Sequence, residues 1–70
     1  KGNVIRGNGT VMDGKGNFIH SKENFTAVLG IDNVIVINTG DVVLVVNKDN
    51  AEEIKNLVDY LNTNNLNELT

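Results

Sequence analysis

The side chains able to do chemistry in this 70-residue chain are few and far apart. Its one histidine, His20, precedes Ser21, a pairing that could activate a hydroxyl nucleophile if a base and an orienting carboxylate converged on it. Neighbours on a strand point to opposite faces, and no third group is placed to hold the imidazole, so His20 is expected to be structural or solvated. Asp13, Asn17 and Ser21 have the rhythm of a calcium loop, but the sixth position is Phe18 where glycine is needed and the twelfth is Asn24 where glutamate is needed. Gly7-Asn8-Gly9 with Gly14 suggests a phosphate loop until the next segment is read. That segment is strand-like, whereas phosphate capture uses a helix N-terminus and a lysine. Asn8-Gly9-Thr10 and Asn24-Phe25-Thr26 fit the glycosylation pattern by chance in a chain with thirteen asparagines, and Lys48-Asp49 reads as a solvated turn. The expectation is no catalytic, cofactor-binding or metal-binding residue.

Charge excludes further classes. Nine acidic and six basic residues are scattered singly for a net charge of −3. Arg6 is the only arginine, and Phe18, Phe25 and Tyr60 are the only aromatics, too little to displace phosphate counterions or stack bases, so no nucleic-acid partner is expected. No apolar run approaches the roughly 18 residues of a membrane span, and no basic-then-apolar leader begins at Lys1. The chain therefore reads as soluble, without a membrane partner, and cytoplasmic. Cysteine is absent, so neither disulfide nor zinc-thiolate supports what is expected to be one small domain over residues 1–70, a size that hides only roughly 60% of the unfolded surface.

The elements follow from pattern. Gly2-Asn3-Val4-Ile5, Gly9-Thr10-Val11-Met12 and Gly16-Asn17-Phe18-Ile19 repeat every seven residues, with a degraded copy at Glu23-Asn24-Phe25-Thr26. A glycine in each copy would cost a helix about 1 kcal/mol every time, and the apolar pairs are adjacent, so the heptad is not a coiled coil. It predicts short strands punctuated by Gly7-Asn8-Gly9 and Asp13-Gly14-Lys15-Gly16, arranged as a coiled β-ribbon, a short solenoid or a meander. Gly30, after Ala27, Val28 and Leu29, is expected to mark a bulge or a close backbone approach. Residues 34–37 and 42–46 are continuously apolar and flank Asn38-Thr39-Gly40-Asp41, which predicts a hairpin at about 33–47 with Gly40 at positive φ.

A helix is expected at about 50–62. Asn50 and Glu53 form a variant capping box, and Ile54, Leu57, Val58 and Leu61 recur on one stripe. The fold class is thus mainly β with one C-terminal helix, an α+β arrangement with a β region at 1–48, a helix at 49–62 and a flexible tail at 63–70. Strands apolar at every position expect cover on both faces, and one helix covers one face. The second cover must come from the rest of the chain or from other protein, which makes Val34, Val36, Val43 and Val45 the candidate interface residues.

Gly30-Ile31-Asp32-Asn33, the strand Val34-Ile35-Val36-Ile37, Thr39-Gly40-Asp41, the strand Val42-Val43-Leu44-Val45-Val46, Lys48-Asp49 and the helix start Ala51-Glu52-Glu53-Ile54-Lys55 resemble the segment after the catalytic domain of bacterial mannose-1-phosphate guanylyltransferases. Gly2-Asn3-Val4, Val11-Met12-Asp13 and Phe18-Ile19-His20-Ser21 are similar to the short strands that precede it in that family. Asn50 stands where the family often has arginine, Glu52 where glutamine is common and Val42 where alanine is usual. The resemblance implies a C-terminal fragment of an enzyme that makes GDP-mannose and pyrophosphate from GTP and mannose 1-phosphate. GTP binding and the expected magnesium ion would belong to a catalytic nucleotidyltransferase domain absent from this chain, which would not be active alone. What it implies for the fragment is a structural, assembly role against the parent catalytic domain or a second subunit, in a homo-oligomer. The residues also permit an autonomous β-rich self-association or protein-interaction module.

Overall fold

The computed structural model describes residues 2–64. Four strands form one sheet in the order β1-β2-β3-β4: β1 (Val4–Met12), β2 (Phe18–Leu29), β3 (Val34–Asn38) and β4 (Val43–Asn47). A 3-10 helix, Lys48–Glu53, then leads into helix α1, Ile54–Thr63. The expected class is borne out: mainly β, with a hairpin and one C-terminal helix. Of the flexible tail expected at 63–70, Thr63 closes α1, Asn64 is a turn residue, and the remainder lies outside the described residues.

The pairing of β1 with β2 and of β2 with β3 is parallel, yet residues 13–17 are all that joins β1 to β2. A flat parallel pair needs a crossover of a dozen residues or more, so the short link works only because each strand bends. Val4 pairs with Phe18 and Gly7 with Ser21, fourteen residues on; after the bend Gly9 pairs with Thr26 and Met12 with Leu29, seventeen residues on. Each long strand therefore supplies two straight segments, and the chain winds as a coil with two walls. One wall holds residues 4–7, 18–21 and β3, extended by β4; the other holds residues 9–12 and 26–29. The seven-residue repeat is half of a fourteen-residue turn. Of the three arrangements that the repeat allowed, the structure has the short solenoid, parallel segments stacked turn upon turn.

Between the walls lies the core, Ile19, Val28 and Val36, with Val11 and Val34 packed against it. Gly7 shows why the bend requires glycine. Its φ is +91°, and a Cβ there would stand 2.0 Å from the Ser21 carbonyl oxygen, well inside any permitted contact. Gly30 behaves differently from expectation: it has φ +69° and open space where a Cβ would go, so it is a turn residue without a close backbone approach.

Parallel turns of a coil leave corner amides without ladder partners, and asparagine meets that need. The Asn3 amide donates to the Gly14 carbonyl (3.1 Å) and its oxygen accepts from the Asn17 N–H (3.0 Å). One turn later the Asn17 amide donates to the Ile31 carbonyl (2.6 Å) and accepts from the Val34 N–H (2.9 Å). The same side chain thus performs the same bridge in successive turns. Asn17 is 1% exposed, and among the described residues no buried side-chain N or O lacks a partner.

The hairpin forms as expected, with β3 and β4 antiparallel from Val34↔Asn47 to Asn38↔Val43. Gly40 has φ +103°, and Thr39 closes the loop by accepting from the Val42 N–H and donating to its carbonyl, both at 3.2 Å. The helix start differs from expectation. Asn50 does not cap it: Asn50 lies inside the 3-10 helix at φ −108°, ψ 17°, while Asn47, extended at φ −73°, ψ 132°, accepts from the Asp49 N–H at 2.8 Å. Glu53 at the junction with α1 makes no side-chain cap bond, because a 3-10 turn already occupies the place of the free amides that a cap would serve.

Two stability measurements check this account. Asn17→Ala should cost about 3 kcal/mol, since it removes two bonds made by a buried side chain and leaves the partly buried Ile31 carbonyl and Val34 N–H without that partner, whereas half-buried Asn3→Ala should cost about 1 kcal/mol; urea unfolding midpoints give the comparison. Asn47→Ala should lose about 1 kcal/mol of helix capping, and Asn50→Ala much less, a ranking that thermal melts followed by helical circular dichroism would reveal.

Candidate interaction surface

The coil disperses the chemistry-bearing residues. His20 lies on β2 between Arg6 of β1 and Ile37 of β3, whereas Ser21 faces inward and is fully buried. The Ser21 hydroxyl donates to the Asn24 carbonyl and accepts from the Thr26 hydroxyl at 2.8 Å; Thr26 in turn accepts from the Asn38 amide at 3.2 Å. This polar chain ties the bend of β2 to the end of β3, so Ser21 holds the corner and has no base beside it. Asp13 sits at another corner with φ 54°, and Asn17 is consumed by its two bridges. No group of three or more histidine, aspartate or glutamate residues could hold a metal among the described residues.

A shallow hollow on the outside of the corners is lined by Asp13, Gly14, Lys15 and Asp32. Asp32 accepts from the Lys15 N–H at 2.9 Å, which locks one corner against the next. Asp49, just after β4, meets the Asn33 amide at 3.4 Å in an exposed position.

The apolar side chains are arranged by face. Residues directly opposite each other in a sheet share a face, so the pairs Val36↔Val45, Val34↔Asn47 and Asn38↔Val43 put all four candidate interface valines on the face that carries Ile19. Their surroundings differ. Val36 is 6% exposed within the core and Val34 is half-buried against it, while Val43 and Val45 are 59% and 62% exposed. The second wall has only two segments, 9–12 and 26–29, and ends before reaching over β4. The opposite face of β4 is covered, for Leu44 and Val46 are buried. Ile54, Val58 and Leu61 on the apolar stripe of α1 are each half-buried.

A second apolar patch escaped the sequence reading. Met12 and Leu29 pair in register on the outside of the second wall and are 64% and 69% exposed. The signal was present in the alternation of Val11 inward with Met12 outward, and of Val28 inward with Leu29 outward, but it becomes legible only when the bends in β1 and β2 are known. Phe25, at the bend of β2, is also exposed.

Comparison with known proteins gives a consistent picture. Residues 7–61 match the family model described as the MannoseP isomerase/GMP-like beta-helix domain. A mannose-1-phosphate guanylyltransferase of Salmonella muenchen is 38% identical over 66 residues, which are 94% of this chain and 14% of that protein. The alginate biosynthesis protein AlgA of Pseudomonas fluorescens is 33% identical over 61 residues, 87% of this chain and 13% of that one. Among solved structures, a Thermus thermophilus protein described as a mannose-1-phosphate geranyltransferase superposes with a TM-score of 0.77 at 34% identity, covering 86% of this chain and 18% of that chain. The wound strands, the matched span and the superposition agree: this chain belongs to the mannose-phosphate isomerase/GMP-like β-helix domain family.

Proposed function

We propose that the chain is the non-catalytic β-coil part of a mannose-1-phosphate guanylyltransferase, with a structural and assembly role. The observation that carries this reading is the open apolar face of β4, set in a fold where Asn17, Ser21 and Asp32 are held in corner hydrogen bonds. Val43 and Val45 continue the face of the core beyond the second wall, and water-exposed valines aligned with a core are the signature of a surface that other protein covers. The chain spans 14% of the length of its Salmonella muenchen relative, which leaves ample room for a separate catalytic domain. In this reading GTP, mannose 1-phosphate and the magnesium ion bind to that domain, in the cytoplasm, and the coil stays outside the reaction.

The 70-residue chain should therefore release no pyrophosphate from GTP and mannose 1-phosphate in the presence of magnesium, and calorimetric titration should detect no GTP binding. Saturable GTP binding by the chain alone would refute the reading. Added to the catalytic part of a relative that lacks its own coil, the chain should form a complex and raise the melting temperature of that part. Val45→Asp should keep the fold and weaken that complex. Val36→Asp should unfold the chain, because an unpaired carboxylate in the core costs several kcal/mol; circular dichroism separates the two outcomes.

A further inference from the structure

β4 is the last strand of the sheet. Its inner edge pairs with β3 along its whole length, and among the described residues no strand lies on its outer edge. An unpaired edge is a template for another strand, and proteins that avoid such pairing guard the edge with lysine, proline or a bulge. β4 reads Val-Leu-Val-Val-Asn and has none of these.

The flanking charges select a direction. Asp41 precedes the strand and Lys48 follows it, both exposed. Parallel pairing of two copies would set Asp41 against Asp41 and Lys48 against Lys48, whereas antiparallel pairing brings the Asp41 end of each copy to the Lys48 end of the other.

Burial then selects the register. Leu44 and Val46 are buried on one face, and Val43 and Val45 are exposed on the other, so opposed residues must come from the same face. Centring the pair on Val45 would put Val43 against polar Asn47 and Asp41 against Asp49. Centring it on Leu44 sets Val43 against the partner's Val45 twice over, with Leu44 beside its own copy and Asp41 against Asn47.

We propose that two copies of this chain pair β4 to β4, antiparallel about a two-fold axis at Leu44, so that the four exposed valines form one apolar stripe across a continuous sheet. This deepens the assembly reading above by naming a second copy as the partner of the β4 edge; the pairing joins edges, widens the apolar face and leaves that face free for the catalytic part. The contact is isologous, as a two-fold dimer requires. With one short strand per copy it falls below the size of a standard stable interface, so the dimer is weak and concentration-dependent.

The chain has no cysteine, which allows a direct test. Opposed Cα atoms in an antiparallel pair are about 4.5–5.5 Å apart, within the span of a disulfide, while a residue and its own copy two positions out of register lie about 7–8 Å apart. The single variants Val43→Cys and Val45→Cys, mixed and mildly oxidised, should yield a disulfide-linked pair made of one of each, and either alone should yield several-fold less. The unmodified chain should move from monomer toward twice its mass between about 10 µM and about 1 mM in sedimentation equilibrium, as a weak association requires. Val43→Lys should hold it monomeric with an unchanged circular dichroism spectrum. Self-linking of Val45→Cys in preference to the mixed pair would overturn the register, and a chain monomeric at every concentration would overturn the pairing. If Val43→Lys failed to fold, the cysteine mixture would still decide. A monomer that binds the catalytic part of a relative removes this dimer and leaves the assembly reading intact; a dimer that binds GTP does the reverse.

Discussion

The amide of Asn17 is the interaction on which the coil depends. A wound strand cannot satisfy its corner groups by strand pairing alone, because at each corner the backbone turns out of the plane of the neighbouring wall. A buried peptide group left unpaired costs about 1–3 kcal/mol, and a chain of this size has only a few kcal/mol of net stability to lose. Asn17 offers one donor and one acceptor at the spacing that the next corner presents, and it joins the Ile31 carbonyl to the Val34 N–H while buried. Asn3 makes the equivalent bridge one turn earlier. At the far corner the Ser21, Thr26 and Asn38 side chains serve the same purpose. The asparagine excess is therefore partly a requirement of winding.

Once the corners are held, the core can be small. Three buried aliphatic residues with two flanking valines fill the space between the walls, and the coil needs no disulfide because its turns brace one another through backbone ladders. The cost appears at the edge. The hairpin turns the chain back at residues 39–42, so β4 extends the first wall while the second wall stops two segments in. A wall that outruns its partner leaves apolar side chains without cover, and Val43 and Val45 are those side chains.

This division of labour bears on function. Side chains that could perform catalysis elsewhere are committed here to geometry: Ser21 to a buried corner, Asn17 to a bridge, Asp32 to the Lys15 N–H. The exposed apolar side chains of β4, Val43 and Val45, lie outside these bonds. The chain belongs to the β-helix domain family and spans 14% of the length of its Salmonella muenchen relative.

Much of this was legible in residue order. Continuous apolar runs around Asn38-Thr39-Gly40-Asp41 specified the hairpin, and the stripe Ile54, Leu57, Val58 and Leu61 specified α1, because both signals are local. The seven-residue spacing excluded a helix but left coiled ribbon, solenoid and meander equivalent, since it records where strands bend and not which segments pair. The helix cap moved from Asn50 to Asn47 for a related reason: both can cap in isolation, and the hydrogen bond from the Lys48 N–H to the Asn33 carbonyl, a contact across the fold, holds the chain where Asn47 is the residue left extended. Residue types and spacing determined that the strands would be apolar on both faces. Only the tertiary structure decided that Val36 is enclosed and Val45, opposite it in the same sheet, is open, because cover depends on how far a second wall reaches, and that reach is a property of pairing between distant segments.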